Sequence, residues 1–294
     1  MVLLIGATGF LGPPVLKGLL KAGHRVGCLV RPASRCGRLV RAAKEAGKDI
    51  SLVGGDLGDP DSIPGLLRDA SSAVYMVDLV KTGLLKNFLS AASKAGLKRI
   101  IFISSTTVLV PLESRIKDSK LESEKLIRDS GLLYTILRPT MIYGSGDDPN
   151  FSRMLKFIKK WGFFVTFGSG ENLIQPVFID DVAGAVVKVL EEARTHKKTY
   201  ELPGRSPLKY KHMLDIVKGE TGRDFKVIRL HQGFSRAVVS VCFRLSKDPS
   251  LTAGQIDRMG IDKVYDYRKA REDFGYSPAG FKKGIRLLIK RLGL

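Results

Sequence analysis

The stretch Gly6-Ala7-Thr8-Gly9-Phe10-Leu11-Gly12 has the residue types and spacing that receive a phosphate-bearing ligand. It follows an apolar run at 2–5 and opens a helical pattern at 11–22. In that context Gly6 permits a tight turn and Gly9 lets the backbone approach a pyrophosphate. Gly12 lets the helix pack closely against the strand. Loop N–H groups and the helix dipole then face the anion. Pro13 and Pro14 lack N–H groups, which costs little in a first helical turn. A dinucleotide site is therefore predicted, with Gly6, Thr8, Gly9, Phe10, Leu11 and Gly12 as contacts. An acid about 20 residues past the glycines would mark NAD. This chain has Arg31, Ser34 and Arg35 there, and no acid between Gly12 and Glu45. A guanidinium suits a 2′-phosphate by charge and fork geometry, so Arg31 and Arg35 predict NADP, with NAD as second choice.

The spacing of GATGFLG resembles that of the extended and atypical short-chain dehydrogenase/reductases, the NAD(P)-dependent epimerase/dehydratase family. Further segments follow in the family's order over about residues 1–230. Gly55-Asp56-Leu57 resembles the adenine-contacting segment, so Asp56 and Leu57 join the expected cofactor contacts. Ser104 to Val108 resembles the serine motif, and Leu137-Arg138-Pro139-Thr140 with Tyr143-Gly144 resembles the sixth-strand signature. Gln175 to Ala183 resembles the later substrate-side strand and helix. The resemblance implies a Ser, a Tyr and a Lys as the catalytic set, the Lys also holding the nicotinamide ribose. Ser105 matches the Ser and Lys120 the Lys. The family Tyr stands four residues before the Lys, and here that residue is Ile116, which transfers no proton. Three readings stay open. The chain binds NADP without the family's chemistry; or a substitute acid serves, Tyr143 or Tyr75; or the register is displaced by a turn. No Tyr lies between Tyr75 and Tyr134 to restore that last register. The expected catalytic residues are Ser105, Lys120 and Tyr143.

These residues need a scaffold. Apolar runs at 2–5, 25–30, 50–53, 73–77, 98–103 and 133–137 read as strands. Helical patterns fill 11–22, 36–47, 61–69, 82–95 and 114–130. The alternation predicts an α/β fold, a Rossmann-type doubly wound parallel sheet with a small C-terminal substrate lobe. The expected division is a core at 1–140, with 176–200 returning to it, and a lobe of 141–175 and 201–294. Within the lobe, 150–161 reads as a helix, 162–170 as a glycine-bounded aromatic segment and 176–179 as a short strand. Asp180 is placed as N-cap of a helix at 181–193.

The chain has 294 residues, 49 Lys and Arg against 29 Asp and Glu, and a net charge of +20. With 44% apolar and 27% charged residues it is an ordinary globular composition, which excludes disorder for most of the chain. Cys28, Cys36 and Cys242 make no CxxC pair, and His24, His196, His212 and His231 make no metal-binding spacing. No disulfide framework and no metal are expected. No apolar run reaches membrane-spanning length, and the opening run is too short for a signal peptide, so the expectation is a cytoplasmic protein. Residues 205–294 hold 20 basic and 9 acidic residues. That field attracts anions. The segment 236–245 and the tail 284–294 are basic and amphipathic, and peripheral contact with an anionic membrane is one reading of them. Aromatics are not interleaved with the cations, so no nucleic acid is expected.

By resemblance the function is an atypical NADP-dependent oxidoreductase or epimerase. Its substrate is a small molecule, a nucleotide sugar or another small polar carbonyl compound. The alternative is a non-catalytic NADP(H)-binding sensor or assembly subunit. Relatives dimerise through helices corresponding to 82–95 and 114–130, and both monomer and homodimer stay open because the second is largely polar.

Overall fold

A computed structural model describes residues 1–32, 34–230 and 260–294. The segment 236–245, with Cys242, lies outside the described residues, as does His231. The chain begins β1 (Val2–Ile5), α1 (Gly12–Lys21), β2 (Val26–Val30), α2 (Gly37–Ala46), β3 (Ser51–Gly54), α3 (Ile63–Leu67), β4 (Ser72–Tyr75) and α4 (Thr82–Lys94). It continues with β5 (Arg99–Ile103), α5 (Arg115–Asp129), β6 (Tyr134–Pro139), β7 (Ile142–Tyr143), α6 (Phe151–Trp161), β8 (Phe163–Phe167), β9 (Leu173–Ile174) and β10 (Val177–Phe178). Then come α7 (Ile179–Glu191), β11 (Lys198–Leu202), β12 (Leu208–Lys209), α8 (Tyr210–Thr221), β13 (Lys226–Leu230), α9 (Arg268–Phe274) and α10 (Phe281–Leu292).

The central sheet has seven strands in the order β11-β6-β5-β4-β1-β2-β3, all parallel. The order reverses between β1 and β4, the switch point where α/β sheets bind ligands. Strands β1 and β4 are buried throughout because helices cover both faces, whereas β3 at the edge is mostly exposed. One face is closed by α3, α4 and α5 over Leu3, Tyr75, Phe88, Phe102 and Ile136. Strand β11 has no apolar run to announce it. Its alternating KTYEL buries only Tyr200 and Leu202, as suits an edge strand.

Two compact units emerge. The first comprises 1–140, 179–202 and 266–277, and the second 141–178, 203–265 and 278–294. The expected lobe of 201–294 is corrected at 266–277. There Asp273 accepts hydrogen bonds from Tyr200 at 2.5 Å and Lys198 at 2.8 Å, which fastens α9 to β11. Asp180 is not an N-cap. The helix starts at Ile179, and Asp180 and Asp181 sit inside its first turn, where the dipole favours acids.

Helix α5 carries Ile116 and Lys120. Its inner face is Lys120, Ser123, Glu124 and Ile127, at helical spacing. Glu124 is fully buried. Its carboxylate accepts from Ser104 Oγ at 2.7 Å, from Arg138 Nε at 2.9 Å and Nη2 at 2.6 Å, and from Arg128 at 3.3 Å. Arg138 also reaches Glu201 at 3.1 Å. Burial alone would raise the Glu124 carboxyl, but the Arg138 fork, Ser104 and Arg128 outweigh it and hold the group below the usual carboxylate range. The bidentate pair thus joins α5 to β5, β6 and β11.

Glu124→Gln removes the charge buried against Arg138 and should lower unfolding free energy by about 3 kcal/mol. The folded carboxyl lies below its unfolded value of about 4.3. Its contribution is therefore complete above that pH and is lost as pH falls through the lowered folded value. Urea midpoints at neutral and acid pH should show the gap between wild type and variant closing on acidification.

Candidate functional site

The glycine loop shows three different demands on three glycines. Gly6 adopts φ +82°, and a Cβ there would press on the Met76–Val77 backbone at 3.0–3.2 Å. Gly12 has no room at all, since a Cβ would fall on the Ala7 carbonyl. Helix α1 therefore closes on the turn itself rather than on the strand. Gly9 is exposed, and a Cβ there would meet only the Gly6 carbonyl oxygen at 3.2 Å. Its free side is the side left for a ligand. The loop is held by Gly9 N–H to Gly6 O at 3.1 Å and Gly12 N–H to Gly9 O at 3.2 Å. This geometry fits a dinucleotide pyrophosphate.

A cleft of about 150 Å³, open to solvent, runs from this loop along the ends of β1, β2 and β4. Gly6, Thr8, Arg31, Asp56 and Leu57 line it together with Ser34 and Lys81. Asp56 Oδ1 accepts from Gly58 N–H at 2.9 Å, and Leu57 O accepts from Asn87 at 2.9 Å, which fixes the shape of that wall. Phe10, Leu11 and Arg35 do not line the cleft. Leu11 is buried, and Arg35 is exposed. The sequence reading missed Arg38, whose guanidinium donates to Thr8 O at 2.6 Å and brings a second Arg to the glycine loop. Its only signal was the run of cations from Arg31 to Arg41.

Lys120 and Ser105 lie beyond this cleft's walls, joined to it by the turn after β4. Val77 lines the cleft, and the next residue, Asp78, accepts from Lys120 Nζ at 2.8 Å. Burial would raise the Asp78 carboxyl. The Lys120 hydrogen bond and charge, the Val80 N–H and Lys81 outweigh it, so the net shift is downward. Ser123 Oγ donates to Leu79 O at 2.6 Å and pins the same turn to α5. Ser105 follows β5 in extended conformation, caps nothing, and its buried Oγ has no hydrogen-bond partner. Buried polar atoms left so are uncommon in folded chains.

The register of α5 is now set. Lys120 and Glu124 face inward, so Ile116 stands one turn before Lys120, 44% exposed. Both candidate substitute acids, Tyr75 and Tyr143, are buried. Tyr75 packs in the sheet core against Phe88 and Phe102, its hydroxyl unpartnered and its acidity suppressed by burial. Tyr143 is buried in the second unit among Phe151, Phe178 and Phe281, and its hydroxyl donates to Phe281 O at 3.3 Å. Gly284 of α10 rests directly on that hydroxyl, so Tyr143, expected as a catalytic residue, packs inside the second unit's core. The same packing corrects the tail. Phe281, Ile285, Leu288 and Ile289 are buried in this core, so α10 does not offer its apolar face to a membrane. No helix among the described residues is long and apolar enough to cross one.

A model of the NmrA-like family matches residues 1–241. Quinone oxidoreductase 2 of Escherichia coli is 27% identical over 252 residues, covering 82% of each chain. The mitochondrial NADH dehydrogenase (ubiquinone) 1 alpha subcomplex subunit 9 of Arabidopsis thaliana is 28% identical over 214 residues, 68% of this chain and 52% of that one. The chain thus spans about half of that relative's length. The structure of an NADPH-dependent quinone oxidoreductase from Escherichia coli, complexed with NADPH, superposes with a TM-score of 0.74. That likeness covers 98% of this chain and 100% of the other at 22% identity, and it shows the shared fold.

The glycines can be separated by experiment. Gly9→Asp places a carboxylate where the loop meets pyrophosphate and should abolish NADPH binding in a calorimetric titration while leaving the thermal melt in place. Gly12→Ala should instead destabilise the fold, by about 1–3 kcal/mol or more, because the clash is with backbone.

Proposed function

Because the chain belongs to the NmrA-like family, among the NAD(P)-binding Rossmann-fold reductases and epimerases, we propose that it is an NADPH-dependent reductase of quinone-type acceptors. The glycine loop would hold the pyrophosphate, and Arg31 with Arg38 the 2′-phosphate. Asp56 and Leu57 would meet the adenosine, and Lys120 the nicotinamide ribose. When bound, NADPH supplies a hydride. The chain's own contribution is then decided by Ile116, the observation that carries this reading.

A ketone that accepts hydride becomes an alkoxide, nearly as basic as hydroxide, and needs a proton donor beside it. Ile116 offers none. A sugar epimerase likewise needs a base to take a hydroxyl proton. A quinone becomes an aryl oxide instead, with a phenol-like pKa of about 10. Such an oxide is stable without a side-chain acid and takes its proton from water. Ser105 Oγ is the group left to donate to the acceptor's oxygen, and the Lys120 ammonium keeps positive charge on that side. A chain that binds the dinucleotide without turnover is the weaker reading, since both Ser105 and Lys120 are kept. The quinone oxidoreductase of Escherichia coli supports the choice of acceptor by likeness.

Steady-state assays with NADPH should show turnover of benzoquinones, and little with aldehydes, ketones or UDP-sugars. Ser105→Ala should slow quinone reduction. Ile116→Tyr should leave it and raise carbonyl reduction. Brisk carbonyl reduction or epimerisation by wild type, without quinone turnover, would sink the proposal. Arg31→Ala should weaken NADPH about ten- to a hundredfold and NADH little, as loss of one charge-assisted bond of roughly 1.5–3 kcal/mol requires. Equal wild-type affinity for NADH and NADPH would refute the Arg31 assignment.

A further inference from the structure

The second unit carries an outward surface that its core does not use. Helix α6, FSRMLKFIKKW, buries Phe151, Met154, Leu155 and Ile158. Its other side presents Arg153, Lys156, Phe157, Lys160 and Trp161. Trp161 is 56% exposed and Phe157 38%. Large rings in water cost free energy unless something covers them. They form one group: Phe157 lies 6.4 Å from Trp161 and meets Phe163 edge-on at 5.4 Å, while the Lys160 ammonium sits 4.9 Å over the Trp161 ring.

The adjoining strands extend this group. In the parallel pair β8–β13, Lys226 stands opposite Phe163 and Ile228 opposite Val165. Paired residues share a face, and neighbours along a strand alternate. Phe164 and Val227 turn to the core. Lys226 and the 44% exposed Ile228 therefore lie on the Phe163 side. Helix α6, β8 and β13 together contain Arg153, Lys156, Lys159, Lys160, Lys226 and Arg229, and no acid. The nearest acid before β13, Asp224, is paired with Lys218 at 3.0 Å.

We infer that this face docks on the surface of an anionic phospholipid bilayer. Trp and Phe at its centre fit the headgroup–acyl boundary, and the surrounding cations match lipid phosphates and serine carboxylates. Single-stranded nucleic acid would need a row of free ring faces. Here Phe157 is committed edge-on to Phe163 and Lys160 caps the indole, so lipid is the better match. The inference is independent of the acceptor proposed above.

Trp161 is the chain's single tryptophan, so its fluorescence reports this face alone. The whole chain should sediment with vesicles of phosphatidylcholine mixed with phosphatidylserine, with a blue shift of Trp161 emission. Both effects should fade in high salt and be absent with phosphatidylcholine alone. Each cation near such a surface contributes about fivefold. The triple variant Arg153→Gln, Lys160→Gln, Lys226→Gln should therefore partition about a hundredfold more weakly with an unchanged melt. A wild-type emission that does not move with anionic vesicles overturns the inference, whatever the variants do. So does a shift produced by single-stranded oligonucleotide but not by vesicles, or vesicle binding that survives the triple substitution.

Discussion

The buried carboxylate of Glu124 is the constraint from which the rest of the first unit's active end follows. Taking it out of water is costly, and only the Arg138 fork with Ser104 makes it tolerable. Those partners come from β5 and β6, so the carboxylate can be satisfied in only one rotation of α5. That rotation turns Lys120 inward to Asp78 and leaves Ile116 on the same face, one turn earlier. It also spends Ser104 on structure and leaves Ser105, its neighbour, with an unclaimed hydroxyl. One ion pair thereby fixes which way α5 turns, with Lys120 inward and Ile116 one turn before it.

The other end of the first unit obeys a steric constraint. Helix α1 approaches the glycine loop so closely that position 12 admits no Cβ. The approach puts the helix start beside the exposed Gly9, where backbone N–H groups and dipole act on an anion together. Arg38 ties the start of α2 to the same loop through Thr8 O.

Much of this was legible in the residues. Apolar runs and helical spacing placed six strands and their helices in order, because a parallel sheet buried on both faces writes itself as continuous apolar stretches. The glycine loop was legible because each glycine answers a local backbone demand. The cation after β2 and the missing tyrosine were legible as plain identities at fixed spacing. Strand β11 was not, since an edge strand buries only alternate residues and its KTYEL carries no continuous signal.

The sequence by itself thus determined the Rossmann-type sheet, the glycine turn from β1 into α1, the run of cations after β2 and the absence of a phenol before Lys120. Only the tertiary structure decided where Tyr143 and the C-terminal helix point. Both look reactive or amphipathic as strings, yet α10 lays its apolar side and Gly284 on the Tyr143 ring and hydroxyl. Arg38 at the glycine loop, Asp78 on Lys120 and the α6–β13 surface arose the same way. Periodicity and identity record what each residue prefers, while partners distant in the chain settle which preference is met.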